Sequence, residues 1–422
     1  MICQLLPAIE SPVVATVMIA VPVPVFSAID AVWLPVIAIA LLLNEITTFS
    51  VTALLPSVIV KVTVWEWKNI PPTRYTLRVS TSAKTAKMAL VRIITDQGIE
   101  GHAFLGSALS GLGNDPNLII ERFKPMLVGQ DPLARERIWQ TISGWAMGGI
   151  MRVIGAIDVA LWDLAAKAAG VPVHRLMGSF RESVPAYASS AVFENPEEYA
   201  EEAVSFKEKG WSAYKIHPPA IPELDIKICE AVRLAVGDDY RIMLDSTWSY
   251  DYPSALRVGK AVEELDFYWY EDPLAYDDLY GYVKLKQVLA IPLMATEMPS
   301  LGPTSYAPWL MEKATDYLRG DVAIKGGLTS CLKTAHTAET FQMNYEVHHG
   351  GNSLNNVANL HLIMAIPNCE YFEVLLPDGA QKHGLIKDIE VDADGLVHAH
   401  QSPGLGVEID FDLIEKNKIT EL

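Results

Sequence analysis

Short apolar runs alternate with amphipathic segments along the chain from about residue 184 to residue 374. The runs VPAYAS, SAYKIH and YRIMLDS are each followed by a stretch, such as EEYAEEAVSFKEKG, in which apolar residues recur at three- and four-residue steps. This alternation predicts strands that are joined by helices. Eight such units in about 190 residues predict an α/β protein with a parallel β/α barrel.

The pattern before the barrel is different. From Lys61 to Leu105, the runs VTVWEW, YTLRVS and ALVRIITD alternate apolar and polar residues, which predicts strands. From Asn114 to Gly178 the spacing is helical, so this part of the chain is predicted to be an α+β unit. The predicted divisions are an apolar extension (1–59), the α+β unit (60–183), the barrel (184–375) and a C-terminal segment (376–422).

The first sixty residues differ in composition from the rest of the chain. They contain no Lys or Arg and only three acids, Glu10, Asp30 and Glu45. A secretory signal needs a basic start, and a spanning helix needs about 20 apolar residues, whereas the run at 31–43 is shorter. We therefore expect no membrane span. The composition changes abruptly at Val60–Lys61. A bacterial gene can start at a GTG codon, and the same codon inside a longer reading frame is translated as valine. We therefore expect that the native chain begins at Val60 and that the upstream residues come from an over-extended reading frame.

Charge and cysteine content exclude several classes of protein. The 422 residues include 33 Lys and Arg against 51 Asp and Glu, which gives a net charge of -18 and argues against nucleic-acid binding. Half of the residues are hydrophobic, enough for a sizeable core. The four cysteines form no CxxC pair, which argues against a disulfide framework and indicates a reducing compartment such as the cytoplasm.

Three acids follow three consecutive predicted strands. Asp245, Glu271 and Glu297 are separated by 26 residues each, which is about one strand–helix repeat. The C-terminal ends of barrel strands meet at one face, where the active sites of barrel enzymes lie. Three carboxylates brought together there would repel one another unless a cation compensates them. Oxygen ligands that leave positions open for a substrate favour Mg²⁺.

Other ionisable residues stand at further strand ends. Lys215 and His217 are two residues apart in one predicted strand, so both side chains leave the same face. Asp321 and His348 follow two later strands, where the carboxylate would orient the imidazole for proton transfer. Glu373, on the last strand, is predicted either to hydrogen-bond a substrate oxygen or to cap a helix.

These motifs together resemble the enolase superfamily, and within it the mandelate racemase/muconate lactonizing enzyme-like acid-sugar dehydratases. The resemblance runs from Lys61 to about Leu413. It rests on YKIH, LDSTWSY, WYEDPL, ATEMP, RGDVAIKGGLTS and EVHHGGNS, which occur in the order of the family. It implies a (β/α)7β barrel and an α+β capping domain to which the C-terminal segment returns.

The resemblance also implies roles for the strand-end residues. Asp245, Glu271 and Glu297 would bind Mg²⁺, and the enzyme would abstract the proton α to a carboxylate, giving an enediolate. Many relatives have Lys-x-Lys where this chain has Lys215-Ile216-His217, so the choice of acid and base among Lys215, His217 and the Asp321–His348 pair stays open. Lys325, four residues beyond Asp321, is a weaker candidate, and His349 is expected to be structural.

Dehydration of a sugar acid to a 2-keto-3-deoxy acid, a lyase reaction, is the favoured reaction. Protonated imidazole near neutral pH is a competent acid for a departing hydroxyl. Racemisation or epimerisation, and cycloisomerisation of an anhydro sugar acid, are the alternatives. A membrane-tethered binding module without catalysis is a distant alternative, because every ligand and base position is filled.

The substrate is expected to be a small carboxylate whose identity depends on the capping domain. Tyr75, Arg78 and Trp145 are the candidate substrate residues in that domain, although packing explains such side chains equally well. Relatives form even-numbered rings, so the resemblance also implies a homo-oligomer.

Overall fold

The computed structural model describes residues 58–75, 80–81, 84–145, 150–298 and 301–422. The expectations for residues 1–57 and for Arg78 lie outside the described residues. None of the helices in the described ranges is long and apolar enough to cross a membrane.

An antiparallel sheet forms the first part of the described chain. Its long central strands, β1 (Val58–Lys68) and β4 (Thr85–Thr95), pair along their whole length, and β5 (Glu100–Leu105) pairs with the far side of β4. The last strand of the chain, β15 (Lys418–Glu421), pairs antiparallel with β1. The C-terminal segment thus returns to this sheet. A two-stranded ribbon, β2 (Thr73–Arg74) with β3 (Ser80–Thr81), lies in the same region of the sequence.

Helices follow this sheet, as the spacing of apolar residues predicts. They are α1 (Asp115–Leu118), a π-helical turn (Ile119–Phe123), α2 (Lys124–Leu127), α3 (Arg135–Ser143), α4 (Met151–Ala169) and α5 (Val173–Met177). The 19-residue helix α4 is apolar on almost every side and is buried along most of its length. It ends at Gly170, which has a positive φ of 69°. Glycine adopts this left-handed conformation at little cost because it has no Cβ, and it therefore commonly ends helices.

The eight strands of the barrel come next in the chain. They are β6 (Ser183–Ser189), β7 (Ala213–Ile216), β8 (Arg241–Asp245), β9 (Trp269–Glu271), β10 (Leu293–Ala295), β11 (Tyr317–Gly320), β12 (Asn344–Val347) and β13 (Phe372–Leu375). Neighbours from β6 to β12 pair in parallel and in sequence order, and β13 pairs in parallel with β6, so the sheet is nearly closed. The predicted fold class, a parallel barrel with a separate α+β unit, is confirmed.

Helices connect the barrel strands. They are α6 (Pro196–Glu208), α7 (Pro222–Val236), α8 (Tyr252–Glu264), α9 (Leu279–Val288), α10 (Ala307–Met311), α11 (Leu328–Thr340) and α12 (Ser353–Ala365), with a short 3₁₀ turn (Pro303–Tyr306) before α10. Helix α8 is capped at its N-terminus by Asp251, whose carboxylate accepts a hydrogen bond from the Ser254 amide. A second 3₁₀ turn (Asp378–Ala380), β14 (Leu396–His398) and α13 (Phe411–Lys416) complete the chain, and β14 pairs antiparallel with β6.

The barrel interior has an apolar layer next to an ionisable one. Side chains two residues apart on a strand leave the same face, so Trp269 precedes Glu271, and Met243 precedes Asp245, toward the C-terminal end. The apolar layer consists of Tyr187, Ala213, Met243, Trp269, Met294 and Tyr371. It fills the barrel beneath the ionisable groups.

Helix α4 packs directly against the loop that follows β11. A Cβ built on Gly155 of α4 would lie 2.3 Å from the carbonyl oxygen of Val322, a distance that only glycine permits. The amide of Thr329 donates a hydrogen bond to Asp158 of α4 at 2.8 Å, and the indole of Trp139 donates one to the carbonyl of Gly326 at 2.8 Å. These contacts fix the loop that begins at the end of β11.

We predict that Gly155→Ala destabilises the protein, although alanine normally stabilises the interior of a helix by about 0.5–1 kcal/mol. The added methyl group must displace the backbone at Val322, and such overpacking costs about 1–3 kcal/mol. Urea denaturation measures the free energy of unfolding. Gly379→Ala is the matched control, because Gly379 is exposed and has no atom within 4 Å of its built Cβ. A Gly155→Ala protein as stable as the wild type would contradict this packing.

Candidate active site

The C-terminal ends of the barrel strands line a cavity of about 270 Å³. Eight of the predicted site residues contribute to its wall: Lys215, His217, Asp245, Glu297, Asp321, His348, Glu373 and Tyr75. Glu271 is fully buried beneath them. The α+β unit contributes Ser107, Ser110 and Arg152 to the opposite wall. The volume is slightly below the range of about 300–1,000 Å³ that is usual for small-molecule pockets.

Three carboxylates converge at the base of the cavity. Asp245, Glu271 and Glu297 each place one oxygen so that these atoms all lie within 4.8 Å of one another, and all three residues are buried. Burial raises the pKa of Glu271 to about 7, and it also raises the pKa of the adjacent Asp272 well above its usual value, with a further contribution from Glu297. This crowding of buried negative charge and the all-oxygen donor set fit a hard divalent cation.

Lys215 lies among these carboxylates. Its Nζ is 3.3 Å from Asp245, 3.0 Å from Glu271 and 2.7 Å from Glu373. Burial and the charge of Arg319 oppose the ammonium form, but the carboxylates of Glu271 and Glu373 hold the pKa of Lys215 well above its usual value. Lys215 is therefore a cation that compensates the carboxylates in the structure as it stands.

His217 lies on the same side of the cavity as Lys215. Its Nδ1 is 2.8 Å from the carbonyl oxygen of Ser190, which can only accept, so this nitrogen carries a proton. Its Nε2 is 3.1 Å from Oδ2 of Asp245. The ring of Tyr75 packs at 5.7 Å from the imidazole, and burial raises the pKa of Tyr75 to about 12. His217 thus has a fixed orientation with Nε2 at the cavity.

Asp321 and His348 form a hydrogen-bonded pair on another part of the wall. Nδ1 of His348 is 2.6 Å from Oδ2 of Asp321, and Nε2 is 3.5 Å from Oε1 of Glu297. The other oxygen of Asp321 accepts a hydrogen bond from the Ile324 amide at 2.7 Å, so the carboxylate itself is oriented. Burial would lower the pKa of His348, but Glu297 and Asp321 raise it to about 9.

Arg319 is a part of the site that the sequence analysis did not identify. It lies on β11 two residues before Asp321 and is fully buried. Its guanidinium forms ion pairs with Glu271 and, at 2.5 Å, with Glu373, and donates to the hydroxyl of Tyr187 at 3.2 Å. The spacing of two from Asp321 was the available signal, because such residues share a face of the strand.

Glu373 lines the cavity, and its carboxylate is paired with two buried cations; its contact with a substrate oxygen stays a prediction. One carboxylate oxygen of Glu373 pairs with Lys215 at 2.7 Å. The other oxygen pairs with Arg319 and accepts a hydrogen bond from the backbone amide of His349 at 3.0 Å. The carboxylate thereby joins two buried cations that come from different strands, β7 and β11.

The remaining candidates lie at the edge of the site or outside it. Trp145 is 46% exposed, stacks under the guanidinium of Arg122 at 4.6 Å, and is not among the residues that line the cavity. The imidazole of His349 packs on Phe372 with ring centroids 4.1 Å apart and does not line the cavity. Lys325 is buried, with its Nζ 4.6 Å from the ring centroid of Tyr306.

Comparisons with known proteins identify the family. Residues 59–178 match the mandelate racemase / muconate lactonizing enzyme N-terminal domain, and residues 198–413 match the enolase C-terminal domain-like family. The chain therefore belongs to the mandelate racemase/muconate lactonizing enzyme family of the enolase superfamily, as the motifs predict, and it is an enzyme of that superfamily.

Individual relatives cover most of the chain. The D-xylonate dehydratase of Haloferax volcanii is 28% identical over 78% of this chain and 85% of its own length. The L-talarate/galactarate dehydratase of Salmonella typhimurium is 31% identical over 67% of this chain and 68% of its own length. The structure is similar to that of the Agrobacterium tumefaciens D-glucarate dehydratase complexed with magnesium, with a TM-score of 0.77, 32% identity, and coverage of 87% of this chain and 99% of that one.

We predict that Arg319→Met lowers the free energy of unfolding by about 3–5 kcal/mol, because it leaves Glu271 and Glu373 buried without this cation. Arg319→Lys should recover part of the loss, since lysine keeps the charge but not the paired donors. Chemical denaturation provides the measurement. The control is Arg175→Met, which removes an exposed ion pair and should change the stability by less than about 1 kcal/mol. Equal losses for Arg319→Met and the control would contradict the importance of the buried pairs.

Proposed function

We propose that this enzyme removes the proton α to the carboxylate of a sugar acid and eliminates the β-hydroxyl as water, giving a 2-keto-3-deoxy acid. One observation carries the proposal: two separately oriented imidazoles, His217 and His348, line the same cavity as three converging carboxylates. The named activities of the relatives, which include D-xylonate, arabinonate and L-talarate/galactarate dehydratases, support it.

Magnesium is the proposed cofactor, held by Asp245, Glu271 and Glu297. The all-oxygen donor set and the excess of buried acids over the cations Lys215 and Arg319 support a divalent cation at this place. When bound, Mg²⁺ supplies positive charge to the carboxylate oxygens of the substrate as the α-carbon loses its proton. The weak acidity of that carbon makes such electrostatic stabilisation the largest requirement of the reaction.

The residues of the chain supply the proton transfers. Asp321 holds Nδ1 of His348, so Nε2 is the nitrogen that exchanges a proton with the substrate. Ser190 holds Nδ1 of His217 in the same way, and Nε2 of His217 faces Asp245. We assign α-proton abstraction to the Asp321–His348 pair, whose imidazole acts in its neutral form, and protonation of the departing hydroxyl to His217. Lys215 would hold the substrate carboxylate by its positive charge.

A site with proton-transfer groups on two sides also permits racemisation or cycloisomerisation. One relative is a cycloisomerase, the D-galactarolactone cycloisomerase of Agrobacterium fabrum, which is 26% identical over 79% of this chain. Both alternatives begin with the same α-proton abstraction, so they differ from dehydration only in the fate of the enediolate.

We place the reaction in the reducing cytoplasm, because Cys229, Cys331 and Cys369 are buried free thiols.

We predict that Mg²⁺ raises the thermal stability of the wild type and that EDTA reverses the effect. At a concentration of 100 times Kd, binding to the folded state alone adds about 2.7 kcal/mol. Asp245→Asn and Glu297→Gln should abolish most of this increase, because each removes one of the three converging carboxylates. Asp412→Asn, which changes an exposed acid, is the control and should respond as the wild type does. Unchanged Mg²⁺ responses in the first two variants would refute the assignment of these ligands.

We predict that the wild type with Mg²⁺ exchanges the α-proton of at least one aldonic or aldaric acid in D₂O and releases water from it. Proton NMR measures both events. His348→Asn should lower the exchange rate by about 10²–10⁴, the usual contribution of a general base. His217→Asn should retain exchange and lose elimination. The reverse pattern would exchange the two roles, whereas inversion at the α-carbon without loss of water would identify a racemase or epimerase.

A further inference from the structure

A cation lies in the wall of the cavity that the α+β unit provides. Arg152, the second residue of α4, lines the cavity, and it is the only Lys or Arg other than Lys215 among the described lining residues. Lys215 lies among the carboxylates at the base of the barrel. Arg152 comes instead from the α+β unit. The cavity therefore has two cationic positions that belong to separate structural units.

The position of Arg152 is fixed by packing. The neighbouring Met151 is buried and would contact a Cβ built on Gly326, and Gly155, one turn later, lies against the carbonyl of Val322. Both contacts join the start of α4 to the loop that follows Asp321. The backbone of Arg152 is therefore held at a constant distance from the Asp321–His348 pair. A residue that selects substrates by the distance between two of their groups needs such a fixed position.

One ion pair orients the guanidinium of Arg152 and engages only part of its hydrogen-bonding capacity. Its Nε pairs with Asp115 at 2.5 Å, and Asp115 is the one ion-pair partner that it has among the described residues. Gly113 lies next to its Nη2, and a Cβ built there would be 3.7 Å away, so no side chain of that residue crowds the group. An arginine has five N–H donors, and the Nη pair can bind a carboxylate in a bidentate manner. The side chain is 35% exposed, which leaves it accessible from the cavity.

From this geometry we infer that Arg152 binds a second carboxylate, at the far end of the substrate, and that the enzyme is specific for aldaric acids over aldonic acids. The inference rests on the proposed function, because it assumes that the α-carboxylate lies at the base of the barrel. Ser107 and Ser110, which also line the cavity, have hydroxyls 2.9 Å apart and can hydrogen-bond the hydroxyls of the substrate between its two ends. A terminal CH₂OH group carries no charge for Arg152 to bind, and this difference is the basis of the selectivity.

The test compares galactarate with galactonate, which differ only in the terminal group, on the wild type and on Arg152→Met and Arg152→Lys. Charge-assisted hydrogen bonds contribute about 10- to 100-fold in binding. We expect the wild type to prefer galactarate in kcat/KM by at least that factor. Arg152→Met should lower kcat/KM for galactarate by about the same factor, mainly through KM, and should change that for galactonate less than about threefold. An interaction equal in the ground and transition states acts on KM in this way.

A double variant, a conservative variant and a control variant separate recognition from folding. Arg152→Met leaves Asp115 without its cation, so the double variant Arg152→Met/Asp115→Asn removes both charges and should show the same loss of selectivity. Arg152→Lys should retain part of the preference for galactarate. Arg137→Met changes an exposed arginine of α3 and should leave the selectivity unchanged. Equal losses on both substrates in the Arg152 variants would overturn the inference.

Failure of the proposed function gives a different result from failure of this inference. If no sugar acid exchanges its α-proton, the dehydratase proposal fails, and isothermal titration of galactarate against galactonate with Mg²⁺ then decides the inference. Tighter binding of galactarate that is lost in Arg152→Met supports it. Equal binding, or no binding of either acid, overturns it. If acids are turned over but galactonate is used as well as galactarate, the dehydratase proposal stands and the assignment of Arg152 is wrong.

Discussion

The accumulation of buried carboxylates at the C-terminal end of the barrel is the constraint on which the rest of the site depends. Asp245, Glu271 and Glu373 all lie within 3.3 Å of Lys215, in an interior that is sealed on one side by an apolar layer. Repulsion between like charges is strong where water is excluded. Arg319 compensates Glu271 and Glu373 from below. The cations are therefore part of the condition for folding as well as for chemistry.

This arrangement assigns different tasks to the two buried cations. Arg319 is enclosed within the barrel, where its ion pairs with Glu271 and Glu373 are permanent. It therefore orients these two carboxylates. Lys215 lines the cavity and contacts the same carboxylates from the side that a substrate would approach. A divalent cation would take over part of the charge compensation that Lys215 now provides. The proposed chemistry thus depends on an excess of buried negative charge. The barrel could not fold around this charge without Lys215 and Arg319.

The second determinant of the site is the contact between helix α4 and the loop after β11. Gly155 allows the helix backbone to approach Val322, and Asp158 binds the amide of Thr329. The loop between these two points begins next to Asp321, which orients His348. One packed interface therefore positions both the proton-transfer pair and Arg152. In the proposed mechanism, this packed interface links recognition by Arg152 to catalysis by the Asp321–His348 pair.

The sequence by itself determined the elements, the fold class, the family and the strand-end acids, because these depend on periodicity and on motifs that are local in the chain. The spacing of Asp245, Glu271 and Glu297 was sufficient to predict that they meet, since each strand–helix repeat returns the chain to the same face of the barrel. Only the tertiary structure revealed the roles of Arg319 and Arg152. Their partners are distant in sequence, so neither the spacing of Arg319 from Asp321 nor the position of Arg152 in a helix indicates which carboxylates each arginine meets.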